Sequence, residues 1–389
     1  MQLLSRRIHA LGHSSNPDEA LTGELRVQHD RGIVAGHFSV GGRAGAGRGL
    51  NRPVVKGFHP RRDGSPGPSL QGRASLSAPF SLQGEEQTVT ASSIATTTVR
   101  SQTDKSPGPV GAVSVVSTGT VQIHPQQRNG TRLPLFVWLM GSRSWTPPLS
   151  INVYVIEHAS GLVLFDTGQD RASVTDPDYF PGGFAGLLYG RLARFQIGAQ
   201  DSLTAKLAAA GYAASDVRLA ILSHLHQDHI GGIPYLPKTE LIVADAEWED
   251  LEKARPELRG LLRRHIDLPG ARYRKITFAP TDDPAVAPFA ATYDVMGDGS
   301  LVLLPTPGHT PGSMSLLVRR PGKVPLLLVG DLTYESGLLE AGRIPGVGDK
   351  AGLHRTSAMV RQLEERNPGL VILPAHDPGA AERLRSANA

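Results

Sequence analysis

The hydrophobic pattern divides the chain near residue 110. Before that point the 389-residue sequence has no sustained period of 2 or 3.6, and stretches such as GGRAGAGRGL (41–50) hold few apolar anchors. A segment of this kind buries too little apolar surface to offset its chain entropy. We therefore predict that residues 1–110 are a disordered low-complexity segment and that residues 111–389 form one folded domain.

Beyond residue 110, short runs of apolar and β-branched residues alternate with helical stretches. Two groups of strands with helices between them predict two packed sheets with helices outside. The predicted strands are 113–123, 133–140, two strands within 151–168, 218–223, 241–244, a hairpin over 292–308, 313–318, 324–330 and 370–374. The predicted helices are 201–212, 246–252, 256–265 and 352–366.

Composition and charge exclude several classes of protein. The chain has no cysteine, which excludes disulfides, a thiol nucleophile and thiolate metal ligands. It has no run of about 18 apolar residues and no apolar signal core, so we expect a cytoplasmic protein without a membrane span. The net charge of +4 arises in residues 1–110, with 13 basic and 8 acidic residues, whereas the remainder has 27 and 28. We therefore expect no nucleic-acid partner.

The stretch HLHQDHIGG (224–232) concentrates ligand-type side chains. His224 and His226 alternate at the end of a predicted strand, so both imidazoles can point the same way. Asp228 and His229 follow where the chain turns. Neutral imidazoles and carboxylates suit zinc and similar divalent ions when thiolates are absent. Four such groups in six residues cannot all reach one ion, so we predict two adjacent ions rather than a metal-free polar loop.

Three more ligand-type residues follow apolar strands at the edge where sites usually form. They are His309 in TPGHTPGS, Asp331 in VGDLTY and His376 in LPAHDPG. Taken singly, a histidine after a strand is more often structural than a ligand. Together these residues supply the further groups that a site for two ions needs.

HLHQDHIGG followed by PGHT, GD and AH resembles the ligand set of the metallo-β-lactamase superfamily, whose first motif is HxHxDH. The resemblance implies an α+β fold, a four-layer αβ/βα sandwich with the metals at one edge of the two sheets. FDTG, with Asp166, resembles an early motif of the superfamily, and we expect Asp166 to support the ligands; a plain β-turn is the alternative. By resemblance the first ion is held by His224, His226 and His309, and the second by Asp228, His229 and His376, with Asp331 bridging.

Several branches of the superfamily disagree with the sequence. A glutamate in place of His226 would indicate the flavo-diiron branch, and true β-lactamases have a cysteine ligand or lack the aspartate at Asp331. The glyoxalase II enzymes carry a helical C-terminal domain, whereas 13 residues follow His376 in this sequence. The nucleases carry basic exosites, and the balance of 27 basic and 28 acidic residues beyond residue 110 gives no support for one. What remains is similar to the N-acyl homoserine lactone lactonases, in which a tyrosine at the spacing of Tyr334 hydrogen-bonds the lactone oxygens.

The resemblance implies a metal-dependent hydrolase that opens lactones or esters, above all N-acyl homoserine lactones. We expect a hydroxide bridging two zinc ions to attack the carbonyl, with Mn, Co or Fe as other metals. Asp228 would pass the proton to the leaving alkoxide, and Tyr334 would steady the carbonyl or leaving oxygen. The alternatives are a hydrolase of the same fold for aryl esters, phosphotriesters or β-lactams, an iron oxygenase or redox protein, and an interaction protein with an incidental metal site.

Residues 176–197, DPDYFPGGFAGLLYGRLARFQI, are unusually aromatic for an exposed loop. One interpretation is a lid over the metals or a contact between the two copies of a homodimer. The other is a helix packed on the sheet. The pattern does not choose between them.

Overall fold

The computed structural model describes residues 22–29, 32–39 and 108–388. The prediction that residues 1–110 are disordered falls mostly outside these ranges. Within it, Thr22–His29 (β1) and Gly32–Ser39 (β2) pair as antiparallel strands, with Thr22 opposite Ser39. The chain divides into two units, residues 1–91 and 92–389. The domain boundary at residue 110 remains a prediction.

A seven-stranded mixed sheet forms half of the second unit. Its strands are β3 (Val110–Ile123), β4 (Leu149–His158), β5 (Gly161–Phe165), β6 (Ala193–Gln196), β7 (Val217–Ile221), β8 (Glu240–Ala244) and β9 (Arg272–Ile276). They lie in the order β6-β3-β4-β5-β7-β8-β9. The pairs from β6 to β5 are antiparallel and those from β5 to β9 are parallel.

A six-stranded sheet forms the other half, in the order β10 to β15. Its strands are β10 (Ala279–Pro280), β11 (Ala291–Asp294), β12 (Leu301–Pro305), β13 (Met314–Val318), β14 (Leu326–Gly330) and β15 (Val371–Pro374). Only the β14–β15 pair in this sheet is parallel, and the helix Lys350–Arg366 lies in the crossover between these strands.

The helices connect strands or cover the outer faces of the sheets. They are α1 (Pro125–Asn129), α2 (Leu135–Gly141), α3 (Ala172–Thr175), α4 (Gly183–Leu192), α5 (Leu203–Ala209), α6 (Gln227–Ile230), α7 (Asp245–Glu252), α8 (Arg263–Ile266), α9 (Ser336–Glu340), α10 (Lys350–Arg366) and α11 (Ala380–Asn388). None of the helices in the described part of the chain has the length and apolar character that crossing a membrane requires.

Three hydrophobic cores establish the order of the layers. Between the sheets, Tyr154 and Phe165 pack with residues of the second sheet such as Leu316. A second core joins the outer face of the first sheet to α5 and α7, and a third joins the second sheet to α10. Both faces of the central strands are therefore apolar, which explains their continuous apolar runs. The predicted four-layer αβ/βα sandwich is confirmed.

Two local predictions are wrong. Residues 133–140, predicted as a strand, form the helix Leu135–Gly141, which follows Pro134. A short apolar run has no period that separates strand from helix, and here no neighbouring strand pairs with it. The predicted helix 256–265 is broken at Gly260, whose φ is +88°, into a 3₁₀ turn Pro256–Arg259 and the helix Arg263–Ile266.

Candidate metal centre

The predicted ligand residues meet at one edge of the two sheets. Each follows the carboxyl end of a strand: His224 comes after β7, His309 after β12, Asp331 after β14 and His376 after β15. The short helix α6 then presents Asp228 and His229 beside the first histidines. The structure thus brings together all seven residues that the sequence singled out as ligands.

The first group consists of His224, His226 and His309. The Nε2 atoms of His224 and His309 each lie 3.0 Å from Nδ1 of His226. Two nitrogens bound to one zinc ion, each about 2.0–2.1 Å from it, lie about 3.3 Å apart in tetrahedral geometry. The three nitrogens therefore converge closely enough to bind a common divalent ion.

The second group consists of Asp228, His229 and His376. Oδ2 of Asp228 lies 3.6 Å from Nε2 of His376, and Oδ1 lies 3.9 Å from Nε2 of His229. These three ligand atoms also converge on one point. A carboxylate with two imidazoles is a donor set that divalent transition metals accept.

Asp331 lies between the two groups. Its Oδ1 is 3.2 Å from Nε2 of His376 and 3.4 Å from Nε2 of His229, while its Oδ2 is 3.4 Å from Nε2 of His309. Oδ1 of Asp331 and Nε2 of His229 are buried without a hydrogen-bond partner. Buried polar atoms of this kind normally have a partner, and a bound cation would supply it. The residues present therefore fit a pair of divalent ions.

Two of the imidazoles are held through the nitrogen that does not face the centre. Nε2 of His226 lies 3.1 Å from the carbonyl oxygen of Arg259, and Nδ1 of His376 lies 2.9 Å from that of Ser150. A carbonyl only accepts, so each of these nitrogens carries the proton and donates it. The opposite nitrogen then keeps its lone pair for an ion.

Asp166 orients the third imidazole, His229. It follows β5, which runs parallel to β7, and its backbone is left-handed with φ +64°. Its carboxylate accepts hydrogen bonds from the backbone N–H of Ser223 (2.7 Å), the Ser223 hydroxyl (3.0 Å) and Nδ1 of His229 (2.8 Å). The FDTG turn therefore has a specific contact to a ligand, beyond the geometry of a β-turn.

Burial and charge tune the protonation of the centre in opposite directions. Burial lowers the pKa of His224 well below its usual value, and it lowers the pKa of His309 to about 3. Burial opposes ionisation of Asp331, but His376 and His229 hold its pKa well below normal. Burial likewise opposes protonation of His376, yet Asp331 raises its pKa. Burial thus favours the neutral forms of His224 and His309, which can bind a metal, whereas Asp331 favours the protonated form of His376 when no metal is present.

The sequence matches the family model of the metallo-β-lactamase superfamily over residues 146–376. The chain belongs to this superfamily. The matched range starts just before β4 and ends at His376, so it covers every predicted ligand.

Curated relatives and solved structures agree with the superfamily match. The chain is 31% identical to the N-acyl homoserine lactonase AttM of Agrobacterium fabrum over 243 residues, covering 61% of this chain and 86% of the relative. It is 32% identical to a probable metallo-hydrolase of Mycobacterium tuberculosis over 250 residues, covering 61% and 77%. A solved N-acyl homoserine lactone hydrolase, with N-hexanoyl-L-homoserine at its catalytic metal centre, matches with a TM-score of 0.56 at 23% identity, covering 72% of this chain and 97% of that one.

The superfamily and the names of these relatives identify the class of enzyme to which the chain belongs. The relatives are named lactonases and metallo-hydrolases. This member of the metallo-β-lactamase superfamily is a metal-dependent hydrolase, and its cofactor is a divalent metal.

Tyr334, which the resemblance to the lactonases placed near the site, lies beside the second group. The side chain is 3% exposed, and its ring centroid is 5.6 Å from that of His376. Its hydroxyl accepts a hydrogen bond from Nε2 of Gln127 at 3.3 Å. Burial, reinforced by Asp331, raises the pKa of Tyr334 well above its usual value, so the phenol stays protonated. Gln127 lies in α1, 207 residues before Tyr334, and no local sequence motif predicted this contact.

Glu247 is a second residue that sequence reasoning missed. It lies in α7, it is fully buried, and its carboxylate contacts the loops that carry the first group. Burial raises its pKa, while hydrogen bonds from Thr310, Leu225 and Gly312 act in the opposite direction. Its spacing of four residues from the buried Leu251 was the available signal, because residues four apart share a helix face.

The aromatic segment 176–197 forms helix α4 and edge strand β6, which pairs with β3. Tyr179 and Tyr189 are buried, whereas Phe184 and Leu187 are exposed. Burial, with Asp170 and Asp228 as further causes, raises the pKa of Tyr179. The helix and the sheet pairing agree with the second interpretation, and the lid and homodimer roles stay predictions.

Proposed function

We propose that the chain is a lactonase that opens N-acyl homoserine lactones and so quenches signalling that depends on them. The observation that carries the proposal is the position of Asp331, with one carboxylate oxygen toward each group of three ligand residues. This arrangement suits two metal ions that act together on one substrate carbonyl. The identity to named lactonases then favours a lactone over other carbonyl substrates.

We assign His224, His226 and His309 to a first zinc ion, and Asp228, His229 and His376 to a second, with Asp331 shared. Manganese, cobalt or iron would satisfy the same nitrogen and oxygen donors. When bound, two such ions lower the pKa of water toward neutrality, supplying a hydroxide nucleophile, and polarise the carbonyl.

Asp228 is the candidate for moving the proton. Its side chain is 14% exposed, whereas those of His229 and His376 are 1% exposed, so among these three it lies nearest to an incoming substrate. A carboxylate there can accept a proton from the attacking water and give it to the leaving alkoxide. Ring opening needs this transfer because the alkoxide is a poor leaving group.

Tyr334 is the candidate for stabilising the substrate oxygens. The N–H of Gln127 donates to the phenol oxygen, so the O–H of Tyr334 remains free to donate elsewhere. A protonated phenol directed at the carbonyl or leaving oxygen stabilises negative charge as it develops. The high pKa of Tyr334 keeps this donor available across the neutral range.

An apolar surface on α2 and α4 supports an acyl substrate. These helices pack against each other, and Nη2 of Arg191 in α4 donates to the carbonyl oxygen of Met140 in α2 at 2.7 Å. Phe136, Val137 and Phe184 expose more than half of their accessible surface. Exposed apolar patches mark binding surfaces more often than chance exposure does. A long acyl chain is the part of the substrate that would cover them.

The test is proton release from a long-chain N-acyl homoserine lactone, followed in a weakly buffered indicator assay. The zinc-loaded chain should release one proton per lactone opened, and the chelator-stripped chain none. Asp228→Asn should lose about 10²- to 10⁴-fold in kcat, the range typical of general acid–base groups. Tyr334→Phe should lose about 10- to 100-fold in kcat/KM, the equivalent of one hydrogen bond to a charged group.

Tyr273→Phe is the matched control, because its hydroxyl donates to the carbonyl oxygen of Ile266 away from the centre. It should keep wild-type kinetics. No proton release from a chain that metal analysis shows to hold two ions would refute the lactonase assignment. Aryl esters, phosphotriesters and β-lactams would then be assayed on the same loaded protein.

A further inference from the structure

Glu247 joins two loops that are far apart in sequence. Its Oε1 accepts the backbone N–H of Leu225 at 3.0 Å, and its Oε2 accepts the backbone N–H of Gly312 at 3.0 Å. The side chain of Thr310 lies near the carboxylate and lowers its pKa. Because each oxygen holds a different loop, the side chain acts as a clamp between them.

The backbone N–H groups that Glu247 accepts lie beside ligands of the first group. Leu225 lies between His224 and His226, Thr310 follows His309, and Gly312 comes two residues after Thr310. The second group takes its residues from α6 and from the loop after β15, which Glu247 does not contact through these bonds. The clamp therefore sets the distance between the segment that carries His224 and His226 and the loop that carries His309.

The loop after His309 packs closely against the backbone of α7. A Cβ atom added to Gly312 would lie 2.3 Å from the backbone nitrogen of Glu247, so glycine lets this loop lie directly on the first turn of α7. The Glu247 side chain is completely shielded from solvent. A rigid anchor of this kind transmits its position to the ligands.

Glu247 also buries a carboxyl group beside the first group. The basic side chains nearest along the chain, Lys253 and Arg259, pair with Asp250 of the same helix. A buried carboxylate without a cationic partner is costly, and among its titratable neighbours His226 lowers the pKa of Glu247. A cation bound by the first group would compensate this carboxylate.

We propose that Glu247 is the positioning residue of the first group and selectively strengthens its binding of a divalent ion. The inference rests on the proposed assignment of the ligands to two groups. Glu247 reaches the ion only through the backbone of the ligand loops and through its charge. Loss of the clamp should therefore weaken the binding of an ion by the first group and leave binding by the second group unchanged.

The experiment measures zinc affinity by competition with a chromophoric chelator and uses no substrate. Two backgrounds isolate the groups: His376→Ala cripples the second, and His309→Ala cripples the first. Glu247→Gln keeps the size of the side chain, removes its charge and places an NH₂ against one of the two N–H donors. In the His376→Ala background it should lower zinc affinity about 10- to 100-fold, the usual effect of losing a residue that orients ligands.

In the His309→Ala background the same substitution should change zinc affinity by less than about threefold, the scale of a charge effect without direct contact. Glu249→Gln is the matched control, because it removes the same charge from an exposed position of the same helix. It should leave both affinities unchanged. An equal loss in both backgrounds, or no loss in either, would overturn the proposal.

Thr310→Val provides an independent test should Glu247→Gln prevent folding, which thermal unfolding would reveal. It removes the hydroxyl that lies near the carboxylate and preserves the shape of the side chain. A smaller loss with the same selectivity for the first group is expected, and an unselective effect would contradict the clamp. Because no lactone is involved, a failure of the lactonase assignment would leave this result intact, and the reverse is also true.

Discussion

Replacing Asp166 by Asn tests how the turn after β5 controls the metal centre. Asn tolerates the left-handed backbone that this position needs, so the substitution changes chemistry with little backbone strain. The amide must direct its oxygen at the N–H of Ser223, because a backbone N–H can only donate. Its NH₂ group then faces Nδ1 of His229, where the carboxylate oxygen had accepted.

This reversal changes the tautomer of His229. Two donors cannot face each other, so Nδ1 must present a lone pair and the proton moves to Nε2, the nitrogen that faces the second group. Zinc affinity of that group should fall about 10- to 100-fold, or about 1.4 to 2.7 kcal/mol. The metal-free protein should also lose about 1.5–3 kcal/mol of unfolding free energy with the charge-assisted hydrogen bond.

The stability loss should depend on pH. Burial opposes protonation of His229, but Asp166 and Asp331 raise its pKa well above the usual value. A raised pKa in the folded state stabilises the fold fully below the unfolded pKa of about 6.5 and loses this effect as the pH rises through the folded pKa. The difference between wild type and Asp166→Asn should therefore be largest in mild acid and shrink in alkali.

Chelator competition, thermal unfolding of the metal-free protein and the ¹⁵N shifts of His229 measure these three effects. Asp170→Asn is the control, because Asp170 lies in the same turn but accepts from Ala172 N (2.9 Å) and the Tyr235 hydroxyl rather than from a ligand. Wild-type zinc affinity in Asp166→Asn, with Nε2 of His229 still unprotonated, would refute the reasoning.

Three other outcomes follow from the same geometry. Zinc uptake by the second group should release protons, because Asp331 raises the pKa of His376 and so favours its protonated form without metal; calorimetry in buffers of different ionisation enthalpy would detect this, and buffer-independent heats would contradict it. Gly260→Ala should weaken zinc binding by the first group, since the new Cβ would lie 2.6 Å from the His226 ring. Gly270→Ala is the control, because Gly270 also has a positive φ but has open space around it; it should lose only about 1 kcal/mol of unfolding free energy through the strained backbone. Tyr154→Phe should lower the unfolding free energy by about 1–3 kcal/mol without affecting metal binding, because it leaves the buried carbonyl of Pro374 unpaired; an unchanged melting temperature would contradict this.

The sequence by itself predicted the central strands and the candidate ligands that the structure brings together. Apolar runs such as 324–330 predict strands because their residues are buried on both faces. HLHQDHIGG predicts a metal site because alternation at a strand end and the first turn of α6 are local geometry. The superfamily resemblance supplied the order of layers, since strand periodicity alone does not state which strands pair.

Only the tertiary structure decided the contacts that support the ligands. The parallel pairing of β5 with β7 brings Asp166 to His229, 63 residues away. The packing of α7 against two loops gives Glu247 its role, and the position of α1 brings Gln127 to Tyr334. Such contacts depend on the register of distant elements, and no local pattern encodes that register.

The same reason explains the wrong prediction at 133–140. An apolar octet is compatible with a strand or a helix, and the outcome depends on whether a neighbouring strand offers hydrogen bonds. No sheet of the described residues pairs with this segment, so Leu135–Gly141 satisfies its backbone internally as a helix. Side chains such as Phe136 consequently remain exposed.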